Sequence, residues 1–296
     1  MLYTQYSIAS TYVTSLSKDL IGDVKLVNTN YSTNLLIIAE QYSVGMSQLI
    51  AANPTISDDV AIPAGTTLNI PTAFILPPGR HQGIIINLPE MRLYYFPDDN
   101  NLIKTYPVGI GKIGQTIPLT NTVVTKKIIN PIWTPTANIR AYNLEKNIKL
   151  PAFVPPGPNN PLGEYAIYLA IPEYRIHATF YSDSIGRRAS FGCIRMRTED
   201  IKDFFNLLEI NTPVQIINEP SKIGWLNNKL YLEVHEPLSE MPTVTSTDKG
   251  VVELIQEFTA NKPALINWEL VKFLLTEHDG MPHEIGVAIE TNMIKN

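Results

Sequence analysis

The sequence has a single cysteine, Cys193, in 296 residues. One thiol excludes an internal disulfide and any multi-cysteine metal site. Excess charge of one sign is missing as well. With 23 Lys and Arg against 28 Asp and Glu, the net charge is −5, and no dense basic run offsets it, so the chain lacks the footprint of a nucleic-acid binder. Long hydrophobic runs are absent too. The longest purely apolar stretch in the first third is Leu35 to Ala39, far short of the roughly 18 residues that span a bilayer. The first twenty residues carry no Lys or Arg before Lys18 and no apolar core, so they do not read as a signal peptide. The rest of the composition, 44% hydrophobic and 17% charged residues, is that of a folded protein with room for two modest domains.

Residues 20–72 read as a small βααβ unit. Val24 to Val27 has strand character. Ser32 reads as the N-cap of a helix whose apolar positions Leu35, Ile38, Ala39 and Tyr42 share one face. A second helix starts near Ser47 and stops at Asn53-Pro54, because a residue preceding proline is pushed out of helical geometry. Gly65 turns the chain into a strand from Thr67 to Ile70. This order, with Ile38-Ala39, Tyr42-Ser43-Val44, Leu49 to Pro54 and Leu68 to Pro71, resembles a LysM module. The resemblance implies binding to N-acetylglucosamine-containing glycan, including peptidoglycan.

Pro77-Pro78-Gly79 marks a boundary. Beyond it, residues 80–218 read as mainly strand. Ile84 to Asn87, Arg92 to Phe96, Ile103 to Val108, Tyr165 to Ala170 and Val214 to Ile217 are β-branched or aromatic runs. Pro151, Pro155, Pro156, Pro158 and Pro161 make an extended segment suited to a loop across a cleft. Thr198 reads as the cap of a helix with Ile201, Phe204, Phe205 and Leu208 on its apolar face. Residues 219–238 read as a β extension with a strand from Leu230 to Val234, and residues 239–296 as a helical tail.

Two neighbouring segments carry chemistry: Tyr174-Arg175-Ile176-His177-Ala178-Thr179, and Ala189-Ser190-Phe191-Gly192-Cys193-Ile194-Arg195-Met196. A free thiol is only about 3% ionised at neutral pH, so a nucleophilic Cys needs a base or a cation beside it. His177 can lie next to Cys193 across a sheet. Gly192 permits close backbone approach and leaves the Gly192 and Cys193 amides to face an oxyanion. Arg195 can favour the thiolate or hold a substrate carboxylate. By spacing alone a buried structural cysteine stays open as the other reading.

Together the two segments resemble the signature of the YkuD-type L,D-transpeptidases, a His followed by Ser-His-Gly-Cys and an Arg or Asn. Pro107 to Gly111, Ile132 to Ile139, Pro156 to Gly163 and Glu233 to Leu238 resemble the subgroup that couples a LysM module to this domain. The resemblance implies an α+β chain: the LysM unit, a sandwich-like catalytic domain and the tail. It implies Cys193 as nucleophile on the stem tetrapeptide amide before the terminal D-Ala, with His177 as base. The Ala178 carbonyl would orient the imidazole, Gly192 would serve the oxyanion, and Ser190 and Arg195 would contact substrate. A thioester would then pass to an amine of diaminopimelate or of an envelope lipoprotein lysine, or to water in a carboxypeptidase or hydrolase; the alternative is an inactive peptidoglycan-binding protein whose LysM unit holds glycan. The implied partners are peptidoglycan stem peptides and glycan in the periplasm or cell envelope, with no metal and no cofactor. Two departures stand out: Phe191 where many members have His, and Ala178 where Gly is usual.

Rival motifs are weak. Ser15-Leu16-Ser17-Lys18 fits a Ser-x-x-Lys pattern without a Lys-Thr-Gly partner. His278 and His283 lack the spacing of a zinc helix, and His81 and His235 read as surface or packing residues.

Overall fold

A computed structural model of the chain describes residues 10–13, 18–98 and 102–289; Ser15, Leu16 and Ser17 lie outside them. Nine strands among these residues form one mixed sheet. In spatial order they are Ser10–Val13, Leu102–Pro107, Arg92–Phe96, Gly83–Asn87, Pro213–Ile217, Thr120–Ile129, Tyr165–Leu169, Arg175–Thr179 and Ile194–Arg197. The long strand Thr120–Ile129 joins the two halves. Thr120 to Val123 pair with Ile216 to Pro213, and after a bulge between Val124 and Lys126 the strand pairs with Tyr168 to Tyr165. An extra residue on one strand bends it and strengthens its twist, so one continuous sheet curls on itself.

The inner face buries Ile84, Ile86, Leu93, Val108, Ile167 and Met196 against the helix Thr198–Leu207, which contributes Ile201, Phe204 and Phe205. Its N-cap position is Arg197 rather than Thr198. Ile85, Tyr94 and Phe96 point to the opposite face, and that face is also dry. Ile21 and Phe74 cover it, on the antiparallel strand pair Leu20–Gly22 and Ala73–Ile75. Burial of both faces explains why Gly83–Asn87 reads as an unbroken apolar run instead of an alternating one.

The LysM unit hangs between those two covering strands. Lys25–Asn28 pairs with Thr67–Ile70 around a core of Leu35, Ile38, Ala39, Leu49 and Leu68. Its first helix, Leu35–Gln41, is capped by the Asn34 side chain, not Ser32. Asn34 accepts from the Ile37 N–H and so satisfies a free donor of the first turn. The second helix, Met46–Ala51, starts against the catalytic domain. Its first amides donate to the Ile185 and Gly186 carbonyls at 3.1 and 3.0 Å. Arg197 Nη2 donates back to the Ala39 and Val44 carbonyls at 3.0 and 2.9 Å. Gly45 and Gly186 meet backbone to backbone: a Cβ on Gly186 would lie 2.4 Å from Gly45 Cα.

The C-terminal part departs from the helical tail expected from sequence. Helices Asp248–Thr259 and Trp268–Glu277 are present, but so are strands Ala264–Ile266 and His283–Ala288. The latter pairs with Lys229–Val234, giving a four-stranded sheet that unites residues 219–238 with the C-terminal segment. A buried ion network fixes this unit to the main sheet. Lys222 Nζ lies 3.0 Å from Glu90 and 2.8 Å from Glu233, and donates to the Ile75 carbonyl at 2.6 Å. No helix among the described residues is long and apolar enough to cross a membrane.

Candidate active site

His177 sits mid-strand, between Tyr165–Leu169 on one side and Ile194–Arg197 on the other. The second pairing is parallel and sets His177 opposite Arg195. Continuing that register by one pair brings Arg175 beside Cys193. Side chains two apart on a strand share a face, so Arg175, His177, Cys193 and Arg195 converge on one cavity. Its volume is about 260 Å³, and Trp133, Leu162 and Tyr174 also line it.

The His177 ring is almost wholly buried. Its Nδ1 is 2.7 Å from the Ala178 carbonyl, the contact expected from the family resemblance. Burial lowers its pKa to about 3, helped by Arg195 and Arg175 and opposed by backbone hydrogen bonds to Ala178 and Leu162. The imidazole is therefore neutral at physiological pH. Cys193, the free cysteine, is half-buried at the turn before Ile194–Arg197. Its Sγ lies 3.7 Å from the Glu173 carbonyl. Burial raises the thiol pKa, against Arg175, a backbone hydrogen bond from Arg175 and Arg195. The resting pair is thus thiol and imidazole, not thiolate and imidazolium.

The turn that carries Cys193 is closed by Ser190. Ser190 Oγ accepts from the Gly192 N–H at 3.0 Å and donates to the Cys193 carbonyl at 2.6 Å. This bears on two expectations. Ser190 lines the cavity but is only 2% exposed, and its hydroxyl is spent inside the protein, where it shapes the turn. The Gly192 amide is engaged and does not face an oxyanion. The Cys193 amide has no partner among the described residues. Glycine at 192 is still required, since φ is +100° and a Cβ would lie 2.6 Å from the Tyr174 ring.

Residues 131–163 arch over the cavity. The helix Ala137–Glu145 buries none of its residues. Asn160, 1% exposed, ties the arch together: its Nδ2 donates to the Pro131 carbonyl at 2.7 Å and its Oδ1 accepts from the Leu162 N–H at 2.9 Å. That places Leu162 against His177. Gly163 crosses directly over Ala178, where a Cβ would sit 2.6 Å from the Ala178 Cβ. Sequence reasoning misses Asn160 and Arg175 as site residues. Both lie within motif segments, but neither carries a local signal of its role.

Phe191 lines the same cavity and packs against the arch. Its ring meets Tyr142 of the arch helix edge-on at 4.9 Å, and Lys112 Nζ sits 3.8 Å from its centroid and 3.4 Å from that of Tyr142. The remaining histidines are elsewhere: His81 stacks on Phe96, His235 pairs with Glu233, and His278 and His283 meet Glu236 and Asp279. Glu90, Glu233 and His235 are close enough together to hold a cation, but the Lys222 ammonium already supplies that charge.

Residues 81–216 match the YkuD family, the L,D-transpeptidase catalytic domain, and residues 34–71 match the LysM domain. The chain is 41% identical over 256 residues to the probable L,D-transpeptidase ErfK/SrfK of Escherichia coli K12, covering 84% of this chain and 81% of that protein. It is 45% identical to the probable L,D-transpeptidase YcfS of the same strain over 75% of this chain and 71% of that one. A solved L,D-transpeptidase from Mycobacterium smegmatis is similar over 53% of this chain and 65% of that chain, at 15% identity and a TM-score of 0.34. The chain belongs to the L,D-transpeptidase family, with a LysM domain ahead of its catalytic domain.

Proposed function

We propose that this protein transfers peptidoglycan stem-peptide acyl groups in the periplasm or cell envelope, with Cys193 as nucleophile and His177 as base. The observation that carries the reading is the convergence of a half-buried thiol and a neutral, carbonyl-anchored imidazole on one cavity. A neutral imidazole can accept the thiol proton as sulfur attacks the donor carbonyl, with the Ala178 carbonyl stabilising the imidazolium that forms. The unpartnered Cys193 amide would donate to the developing oxyanion. His177 would return the proton to the leaving amine of D-Ala as the C–N bond breaks, leaving a thioester. An acceptor amine, losing its proton to His177, would then displace the sulfur. The LysM unit would hold the glycan strand to which the stem is attached.

The test is mass spectrometry of tetrapeptide muropeptides incubated with the protein. Loss of D-Ala with gain of diaminopimelate or of a lysine-bearing lipoprotein peptide is the expected product, and water as sole acceptor would indicate a carboxypeptidase. Cys193→Ala should abolish both products and His177→Ala should remove at least about 99% of turnover. Near-normal turnover in either variant would refute the assignment.

A further inference from the structure

Most arginines in the catalytic half find oxygen partners. Arg92 reaches Thr105 and Gln48, Arg140 the Pro151 and Ala152 carbonyls, Arg187 reaches Asp58, Arg188 reaches Glu240, and Arg197 the LysM carbonyls. Besides Arg80, which is exposed to solvent, Arg175 and Arg195 break the pattern. Among the described residues neither guanidinium makes a hydrogen bond or ion pair, and the Nε–H of each is shielded from water without a partner. An unpaired, partly buried cation is costly, and folds leave one so where a ligand completes it. Both residues line the thiol cavity. Their strands set them on the same face on either side of His177 and Cys193. Arg175 is also held in place, its guanidinium 4.9 Å above the ring of Tyr168, its register partner on the next strand.

We infer that Arg175 joins Arg195 in a two-guanidinium clamp for a carboxylate of the acyl donor adjoining the scissile amide. This deepens the proposed function and rests on it. Guanidinium is suited to the task because its planar donor fork matches carboxylate geometry. The clamp makes donors with a free carboxylate next to the reacting carbonyl the preferred class, over amidated or extended ones. That carboxylate belongs either to the leaving residue or to the side chain of the residue being transferred.

The lone thiol allows a test without the natural substrate. Iodoacetate and iodoacetamide alkylate a thiolate by the same step: the S–C bond forms, the C–I bond breaks, iodide leaves and the thiol proton passes to base or solvent. They differ in carrying a carboxylate or an amide. Intact mass reads the rate of each on full-length protein. The ratio of the iodoacetate rate to the iodoacetamide rate should exceed that of a free thiol such as glutathione, and fall by at least about threefold in Arg175→Gln. Arg175→Lys, which keeps the charge and loses the fork, should fall between and guards against a folding defect in the glutamine variant. Any effect of Arg175 on thiolate formation slows both reagents and cancels in the ratio. An unchanged ratio in Arg175→Gln, with iodoacetamide still reacting, overturns the clamp and leaves the nucleophile assignment standing. A wild-type thiol inert to both reagents overturns both. Peptide donors amidated at the leaving residue, or at the side chain of the residue transferred, then locate the carboxylate. Wild type should lose kcat/KM on one of them and Arg175→Gln should not discriminate. Equal kcat/KM for all three donors in wild type also overturns the clamp.

Discussion

Ser190 and Cys193 are joined by a 2.6 Å hydrogen bond from the Ser190 hydroxyl to the Cys193 carbonyl, while the same oxygen accepts the Gly192 amide. The turn that carries Cys193 thus depends on one buried hydroxyl. Ser190→Ala strands a buried N–H and a carbonyl, which costs about 1–3 kcal/mol, and it frees the sulfur to drift from His177. Turnover should drop by roughly tenfold or more, since small misplacements of reacting atoms are expensive, with KM for the donor little changed. A selective rise in KM at normal kcat would instead make Ser190 a substrate contact.

The pKa shifts fix the sign of two pH effects. Burial raises the Cys193 thiol, so the thiolate fraction climbs about tenfold per pH unit through neutrality without levelling off there. Alkylation by iodoacetamide should track that rise, and a plateau near pH 7 would reveal an ion pair at rest instead. His177 is held near 3 against an unfolded value of 6.5. Between those values the unfolded state binds a proton that the folded state refuses. Stability is therefore full above pH 6.5 and is lost as pH falls toward 3, at up to about 1.4 kcal/mol per pH unit for one proton. His177→Gln should flatten this acid limb in a denaturant titration at pH 7 and pH 5. An equal loss in both proteins would assign the effect to other groups.

Phe191 stands where many relatives by resemblance carry a second imidazole, and here its ring packs against Tyr142 and Lys112. Phe191→His should change donor turnover by less than about tenfold, or 1.4 kcal/mol. Phe191→Ala removes the ring that meets the arch helix and should make residues 137–145 exchange amide hydrogens faster. Unaltered exchange there would mean that the Asn160 bonds alone hold the arch.

How much of this was legible in the sequence depended on the range of the interaction. The LysM helices were visible because Leu35, Ile38 and Ala39 repeat at helical spacing, and the helix Thr198–Leu207 for the same reason. Cys193 and His177 could be singled out because both lie in compact motifs. The cap of the first helix was misplaced by two residues because Ser32 and Asn34 are both good caps and only tertiary packing chooses. Strands Ala264–Ile266 and His283–Ala288 were hidden for a similar reason: they are short and half-buried, and their partners are distant in sequence. The roles of Arg175, Ser190 and Asn160 rest on what each side chain does or does not touch, and no local pattern encodes that.

The covering strands Leu20–Gly22 and Ala73–Ile75 decide where the LysM unit can be removed. A cut near residue 75, which the Pro-rich boundary at 77–79 invites, strips Ile21 and Phe74 from Ile85, Tyr94 and Phe96. It also removes the Ile75 carbonyl and amide that bind Lys222 and Glu233. Baring three large apolar side chains, at about 1.5–3 kcal/mol each, together with the lost Ile75 bonds to the buried ion network, is comparable to the whole margin of an ordinary domain. Such a truncation should be insoluble or unfold without a cooperative transition. The two strands are antiparallel neighbours, with Gly22 opposite Ala73, so the LysM unit occupies the place of a hairpin loop. Replacing residues 25–70 by a short Gly-Ser linker keeps both strands and should leave a cooperatively folding catalytic domain. That domain should have a lower Tm, because Arg197 and Arg92 lose their LysM partners, and it should bind sacculi more weakly. Cooperative unfolding of the simple truncation, at a Tm equal to that of the linker variant, would show that the covering strands belong to the LysM unit and not to the catalytic core.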